Sequence, residues 1–369
     1  MLTIYTNKVF LESLLIEQTP RNWYNIFMSG NVAEVCVSEE LDNEEIDEMG
    51  TIDIFGALQL LGTTIKTDAN YIKSISDNSR RVLDNPNAIF LLDIERKKAD
   101  DIQKQYGVIC QSTDSIDDDI ITKAYEYDLS DGQEGVDWSV YFNGNNHILP
   151  SNALIICDRY IFSADAKADA KGTYEALHLG LDNIRNIINS ILPKKHNDEY
   201  NILIIFDSST LTKSELEENK MFDTIVNNLS DFANGYKRAR HYKLRLDIIS
   251  VDHNCINYKK LHNRRIISNY FVVRAEYKLQ AFRDNISTAT QTIYYDSLFS
   301  KIVKMKSNGP DSPIKSQMQT LSFIKDLVKN GNCRKYASII DKQEGGGNNT
   351  NCSSCLNHLI NNKYLNNKI

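Results

Sequence analysis

Ala88 to Cys110 reads AIFLLDIERKKADDIQKQYGVIC. The turn-like Asp84-Asn85-Pro86-Asn87 leads into five apolar residues, Ala88–Leu92, which is the pattern of a buried strand. From Asp93 to Tyr106 charged and small apolar residues alternate at helical spacing, and Gly107 ends that helix before a second strand, Val108–Cys110. Strand, helix, glycine, strand is a βαβ unit, so this half of the chain is expected to be α/β.

Working outward, Leu2–Thr6 reads as a strand, Phe10–Ile16 as a helix and Val32–Val37 as a further strand before the acidic run Glu39–Glu45. Asp114–Gly135 is acidic and weakly periodic, and Asn143-Gly144-Asn145-Asn146 is a turn cluster, so the domain boundary is expected here. Beyond it come the strand Leu154–Cys157, a linker-like Ser163–Gly172, and a helix with i, i+3, i+4 spacing over Leu177–Leu192 that Pro193 stops. Tyr200–Phe206 is a near-continuous apolar strand and Phe222–Tyr236 an amphipathic helix. Lys243–Ser250 alternates strictly, as does part of Arg265–Arg274. The sequence therefore predicts two α/β domains, residues 1–140 and 150–300, the second a mixed sheet flanked by helices. Residues 301–369 read as a helical segment (Gln317–Lys329) and a flexible Asn/Gly-rich tail.

The chain has 369 residues and a net charge of −7, which hides an asymmetry. Residues 1–150 hold 11 Lys/Arg against 27 Asp/Glu, a net −16, while residues 151–369 hold 31 against 22, a net +9. Within Tyr236–Arg265 the basic residues Lys237, Arg238, Arg240, Lys243, Arg245, Lys259, Lys260, Arg264 and Arg265 face only Asp247 and Asp252. Such a local excess attracts phosphates and steers polyanions. An alternative is a solvated basic face that offsets the acidic half. The sequence shows no apolar run long enough to span a bilayer and no signal-peptide layout at its start. Seven cysteines, four of them scattered among apolar neighbours, fit a reducing, cytoplasmic location. Richness in Asn, Ile and Lys points to an AT-rich, bacterial genome.

Leu261-His262-Asn263-Arg264-Arg265-Ile266-Ile267-Ser268-Asn269 overlaps the basic stretch. It reads H-x-R-x4-N, two substitutions from the H-x-K-x4-D signature of the phospholipase D superfamily. In that chemistry the His attacks phosphorus, the cation holds the phosphate oxygens and the carboxylate stabilises the imidazolium. Arg264 can bind phosphate bidentately, whereas Asn269 cannot support a protonated imidazole as Asp does. Together with Asp158-Arg159-Tyr160-Ile161, Asn183-Ile184, the strand Ile202–Phe206 and Phe282, this motif makes residues 152–283 resemble the C-terminal domain of MIT-domain proteins, a phospholipase D-like fold without the usual catalytic pair. Where that family has a Gly-rich turn, this chain has Ala275-Glu276-Tyr277-Lys278-Leu279. The resemblance implies a module that binds anionic headgroups or proteins.

Other candidates carry other chemistries. His241-x-Lys243 with Asp247 is a second near-motif, so an enzyme reading requires His241 and His262 to converge as nucleophile and general acid. The acidic half more faintly resembles a PIN-type nuclease domain, with Asn7 at the first ligand position and Glu40, Asp42, Asp93 and Asp114 as candidate ligands of Mg²⁺ or Mn²⁺. Cys333, Cys352, Cys355 and His358 supply Zn²⁺-type ligands in the tail, the alternative being incidental thiols and no cofactor. No P-loop, Rossmann fingerprint or H-E-x-x-H is present. The expectation drawn from these features is a non-catalytic accessory or effector subunit, for example in bacterial antiviral defence. It would bind nucleic acid through Arg264, Arg265, Lys259, Lys260, Lys243, Asn269, Arg159 and His262. Its acidic half would contact a protein, an anionic lipid headgroup is a further ligand class, and the competing readings are a phosphodiesterase or nuclease and a protein-interaction adaptor.

Overall fold

Ile4, Val35, Val37, Ile89, Leu91 and Ile109 are buried on one face of a sheet, and Tyr5, Cys36, Phe90, Leu92 and Cys110 on the other. This is the period-two alternation of strands covered on both sides. The computed structural model describes residues 2–28, 33–38, 58, 63–143, 148–163, 170–212, 214–251, 264–300, 322, 324 and 334–340. The first sheet contains β1 (Leu2–Thr6), β2 (Ala33–Val37), β3 (Thr64–Thr67), β4 (Ile89–Leu92) and β5 (Ile109–Ser112). All four of its pairings are parallel, in the order β3-β2-β1-β4-β5. Helices α1 (Lys8–Glu17) and α2 (Arg21–Phe27) bury Phe10, Leu11, Leu14, Trp23 and Ile26 in the core of one face. Helices α3 (Ala69–Asp77) and α4 (Arg96–Tyr106) bury Ile75, Ala99 and Ile102 in that of the other. Coverage of both faces makes this a doubly wound α/β sheet, with its topological switch between β1 and β4.

The second sheet has eight strands in the order β15-β9-β8-β7-β10-β11-β14-β6. They are β6 (Ala124–Leu129), β7 (Ala153–Cys157), β8 (Tyr200–Phe206), β9 (Leu244–Val251), β10 (Arg265–Ser268), β11 (Phe271–Ala275), β14 (Gln291–Ser297) and β15 (Arg334–Ile340). β7, β8 and β9 run parallel, and every other pairing is antiparallel. Between the parallel strands lie α6 (Ala170–Ile191) and α7 (Glu215–Arg240), while the short α5 (Trp138–Asn143) packs against α6. A two-residue ribbon, β12 (Phe282–Arg283) with β13 (Ile286–Ser287), projects between β11 and β14. The fold is α/β, with one parallel and one mixed sheet.

Two segments sit elsewhere than the sequence suggests. Ala124–Leu129, which the sequence reading keeps in the first domain, pairs with β14 at the edge of the second sheet. Its first five residues alternate between exposed and half-buried, so it lacks the apolar signal of the central strands. Arg334–Ile340, within the expected helix and tail, pairs with β9 and closes the opposite edge. Most of Gln317–Lys329 lies outside the described residues.

The two sheets meet through side chains whose roles depend on that meeting. Asn269, in the turn from β10 to β11, accepts hydrogen bonds from the backbone N–H groups of Asn152 and Ala153, both at 3.2 Å. Its Nδ2 donates to the Pro86 carbonyl (3.2 Å), Asn87 Oδ1 (2.6 Å) and Asn152 Oδ1 (2.8 Å). The Tyr270 hydroxyl donates to the Ala88 carbonyl at 2.6 Å. Gly107 closes α4 at φ +63°, and a Cβ there would stand 2.0 Å from the Ser151 carbonyl oxygen. Only glycine allows both that conformation and that approach. Among the described residues, no helix is long and apolar enough to cross a membrane.

Candidate nucleic-acid interface

Parallel strands bring their carboxyl ends to one edge, and open α/β sheets place ligands there. In the second sheet that edge holds Asp158 and Arg159 after β7 and Asp207 and Ser208 after β8. The antiparallel partners return to it. Arg265 pairs with Cys157 and Arg274, and Ala275 pairs with Ile293, so Arg264 and the segment Glu276–Gln280 lie at the same edge.

Asp158 organises this edge. It is fully buried; Oδ1 accepts from the Tyr160 N–H and Oδ2 from the Leu279 N–H, both at 2.9 Å. Burial pushes its carboxyl above the usual range, while the two N–H groups and Arg264 oppose that rise. The bond to Leu279 holds the Glu276–Gln280 loop against the end of β7. Arg264 lies under that loop. Its Nη1 donates to the Glu276 carbonyl at 3.0 Å, and its Nε is 4.0 Å from Asp158 Oδ1. That Nε is buried without a hydrogen-bond acceptor among the described residues, so the guanidinium is oriented yet incompletely satisfied.

Tyr277 crowns the loop and is 57 % exposed. The Arg264 guanidinium lies 5.8 Å from its ring centroid and the Lys278 ammonium 5.7 Å. Two cations beside an accessible ring combine a stacking surface with phosphate partners. The backbone N–H groups of Tyr277 and Lys278 both donate to Gln291 Oε1 at 3.0 Å, which fixes the loop's shape. This platform was hidden in the sequence, where the loop registers only as an absent Gly-rich turn. A mixed aromatic and basic dipeptide two steps from an Arg-bearing strand was the available signal.

The remaining sequence candidates divide. Arg159 is at the same edge but is ion-paired, its Nε 3.0 Å from Asp207 Oδ2. Arg265 is 8 % exposed within the sheet, so it is not a surface phosphate ligand. Desolvation lowers its guanidinium pKa. Asn269 is at the other end of β10, saturated by the inter-sheet bonds above, and does not share a site with Arg264. His241 closes α7 at φ 64°, and Lys243 precedes β9, so both stand at the amino edge. β9 is eight residues long, which is about 26 Å of strand. His241 and Arg264 are thus at opposite edges of the sheet. Asp247 lies within β9, 3.7 Å from Arg245 Nε. His262, Lys259 and Lys260 lie outside the described residues, as do Glu40, Asp42, Cys333, Cys352, Cys355 and His358. Among the described residues, no group of three or more His, Cys, Asp or Glu is placed to hold a metal ion. Asn7 caps α1, accepting from the Phe10 N–H at 2.6 Å. Asp93 follows β4, and Asp114 follows β5.

Comparison of the chain with protein-family models, curated proteins and solved structures gives no match.

Proposed function

We propose that this protein is a non-catalytic, accessory-type nucleic-acid-binding protein that holds single strands at the carboxyl edge of its second sheet. One observation carries this reading: exposed Tyr277 has the Arg264 and Lys278 cations 5.8 and 5.7 Å from its ring centroid, on a loop anchored by Asp158. A base would stack on the tyrosine ring while the flanking cations take the adjoining phosphates. The phospholipase D-type resemblance belongs to the same proposal, with Arg264 in the phosphate-holding role and His241 at the opposite edge of the sheet.

The test is fluorescence anisotropy of the full chain with labelled single- and double-stranded DNA and RNA between 50 and 200 mM salt. Each neutralised phosphate should contribute a slope of about −0.7 in log K against log salt for single strands. Tyr277→Ala should weaken binding by roughly 5- to 100-fold, the range of one stacked base. Arg264→Ala should weaken it and flatten the salt slope. Absence of binding, or binding indifferent to both substitutions, overturns the proposal. Cleavage of the probe that His262→Ala abolishes overturns its non-catalytic part.

A further inference from the structure

The first sheet has its own ligand crevice. β1 continues to β2 and β3 on one side, and β4 to β5 on the other, so chains leaving β1 and β4 diverge to opposite faces. Divergence opens a gap at the carboxyl ends of those two strands, where doubly wound sheets bind ligands. A cavity of about 270 Å³ lies there, between Thr6 and Asn7 after β1, Asp93 and Ile94 after β4, and α3. Topology predicts the position and the cavity occupies it.

Its lining separates into three chemistries. Lys73, exposed on α3, has no ion-pair partner among the described residues. α1 begins beside it at Asn7, so its amino end adds a partial positive charge. One cation and one helix start suit a single phosphate. Asp93, Asn70 and Ser38 offer hydroxyl-binding groups, with Asp93 also unpaired among the described residues. Ile72, Leu92 and Ile94 supply an apolar wall. Thr6 is 1 % exposed, and its Oγ1 has no hydrogen-bond partner among the described residues. A volume just below the usual 300–1,000 Å³ of ligand pockets leaves room for one sugar phosphate with a small ring, not a dinucleotide. The acidic surface of this half opposes an anion only locally, because its field is screened beyond about 10 Å at 0.1 M salt.

We infer that the crevice between β1 and β4 binds a phosphorylated sugar of mononucleotide size, with the phosphate at Lys73 and the start of α1, and the sugar hydroxyls at Asp93. This site is separate from the second sheet's edge and independent of the single-strand reading.

Isothermal titration of the full chain in 0.15 M salt tests it, with AMP, GMP, CMP, UMP, ribose 5-phosphate and inorganic phosphate as probes. At least one nucleotide or ribose 5-phosphate should bind at least tenfold more tightly than inorganic phosphate. Lys73→Ala should weaken that binding tenfold or more. Asp93→Ala should erase the preference over inorganic phosphate, with circular dichroism confirming that both variants fold. Tyr277→Ala should leave the titration unchanged, and Lys73→Ala should leave single-strand binding unchanged, so failure at one site is distinguishable from failure at the other. No binding by any probe at 5 mM overturns the inference, as does equal affinity for all six. Binding that survives Lys73→Ala but disappears with Tyr277→Ala overturns it too, by assigning the ligand to the second sheet.

Discussion

Asn269→Asp would recreate the acidic residue of the H-x-K-x4-D signature, and the structure predicts that it unfolds the inter-sheet joint instead of improving a site. Asn269 Oδ1 serves two buried backbone N–H groups, and a carboxylate oxygen would serve them as well. The other oxygen would replace an NH₂ group that faces three acceptors between 2.6 and 3.2 Å: Asn87 Oδ1, Asn152 Oδ1 and the Pro86 carbonyl. Asn152 cannot turn its amide to help without losing its own donation to the Pro86 carbonyl at 3.1 Å. Leaving a buried polar group unsatisfied costs about 1–3 kcal/mol. Two such groups facing a charge that lacks a partner imply a loss of about 4 kcal/mol at pH 7. Asn269→Ala strands the two N–H groups but introduces no repulsion, so about 3 kcal/mol is expected. Urea denaturation followed by fluorescence of the buried Trp23 and Trp138 measures both. With a slope near 3 kcal/mol per molar, the midpoint should fall by about 1 M for Ala and further for Asp. The Asp variant should also recover in acid. Surrounding acceptors and burial would raise its folded pKa above the unfolded value of about 3.9, so its stability is greatest below that value and declines as pH rises through the folded pKa. A variant at least as stable as the parent at pH 7 would refute the joint and restore Asn269 to a ligand site.

Gly107→Ala should cost about 3 kcal/mol, combining a left-handed penalty of about 1–2 kcal/mol with the contact 2.0 Å from the Ser151 oxygen. Gly132→Ala, at φ +75° with nothing within 4 Å, should cost only about 1–2 kcal/mol, and paired denaturation curves would separate the two effects. Because burial raises the Asp158 carboxyl, its contribution to stability is complete below the unfolded value of about 3.9 and diminishes as pH rises through the folded value. Asp158→Asn removes this dependence, so the stability gap between variant and parent should narrow from pH 4.5 to pH 7.5, measured by denaturant midpoints at each pH. The Cys157 thiol, pushed up to about 12 by burial, is almost wholly protonated at pH 8, and iodoacetamide followed by peptide mass spectrometry should find it unmodified until the protein is denatured.

The fold class was legible because a central strand declares itself locally. Ile89–Leu92 is apolar at every position and Tyr200–Phe206 at all but Asn201, both being covered on both faces, and Gly107 marks a helix end by its own conformational freedom. β6 was not legible, since an edge strand with one wet face can carry Glu126 and Asp128 at no cost. The linear motif around His262 was a weaker guide. It joins Arg264 to Asn269, yet the strand between them carries those residues to opposite edges of the sheet.

By itself, then, the sequence determined most of the central strands and the helices between them, that they form α/β units, and that positive charge gathers late in the chain. Those properties follow from the side chain and its near neighbours, through periodicity, backbone preference and local charge. Tertiary structure alone decided that Asn269 is a joint between sheets, that Arg265 is enclosed, and that the Arg264 guanidinium comes to the exposed Tyr277 ring on a loop held by buried Asp158. Each of those roles depends on partners brought close by strand register, and register is set by the whole sheet's pairing and burial, not by the spacing of residues along the chain.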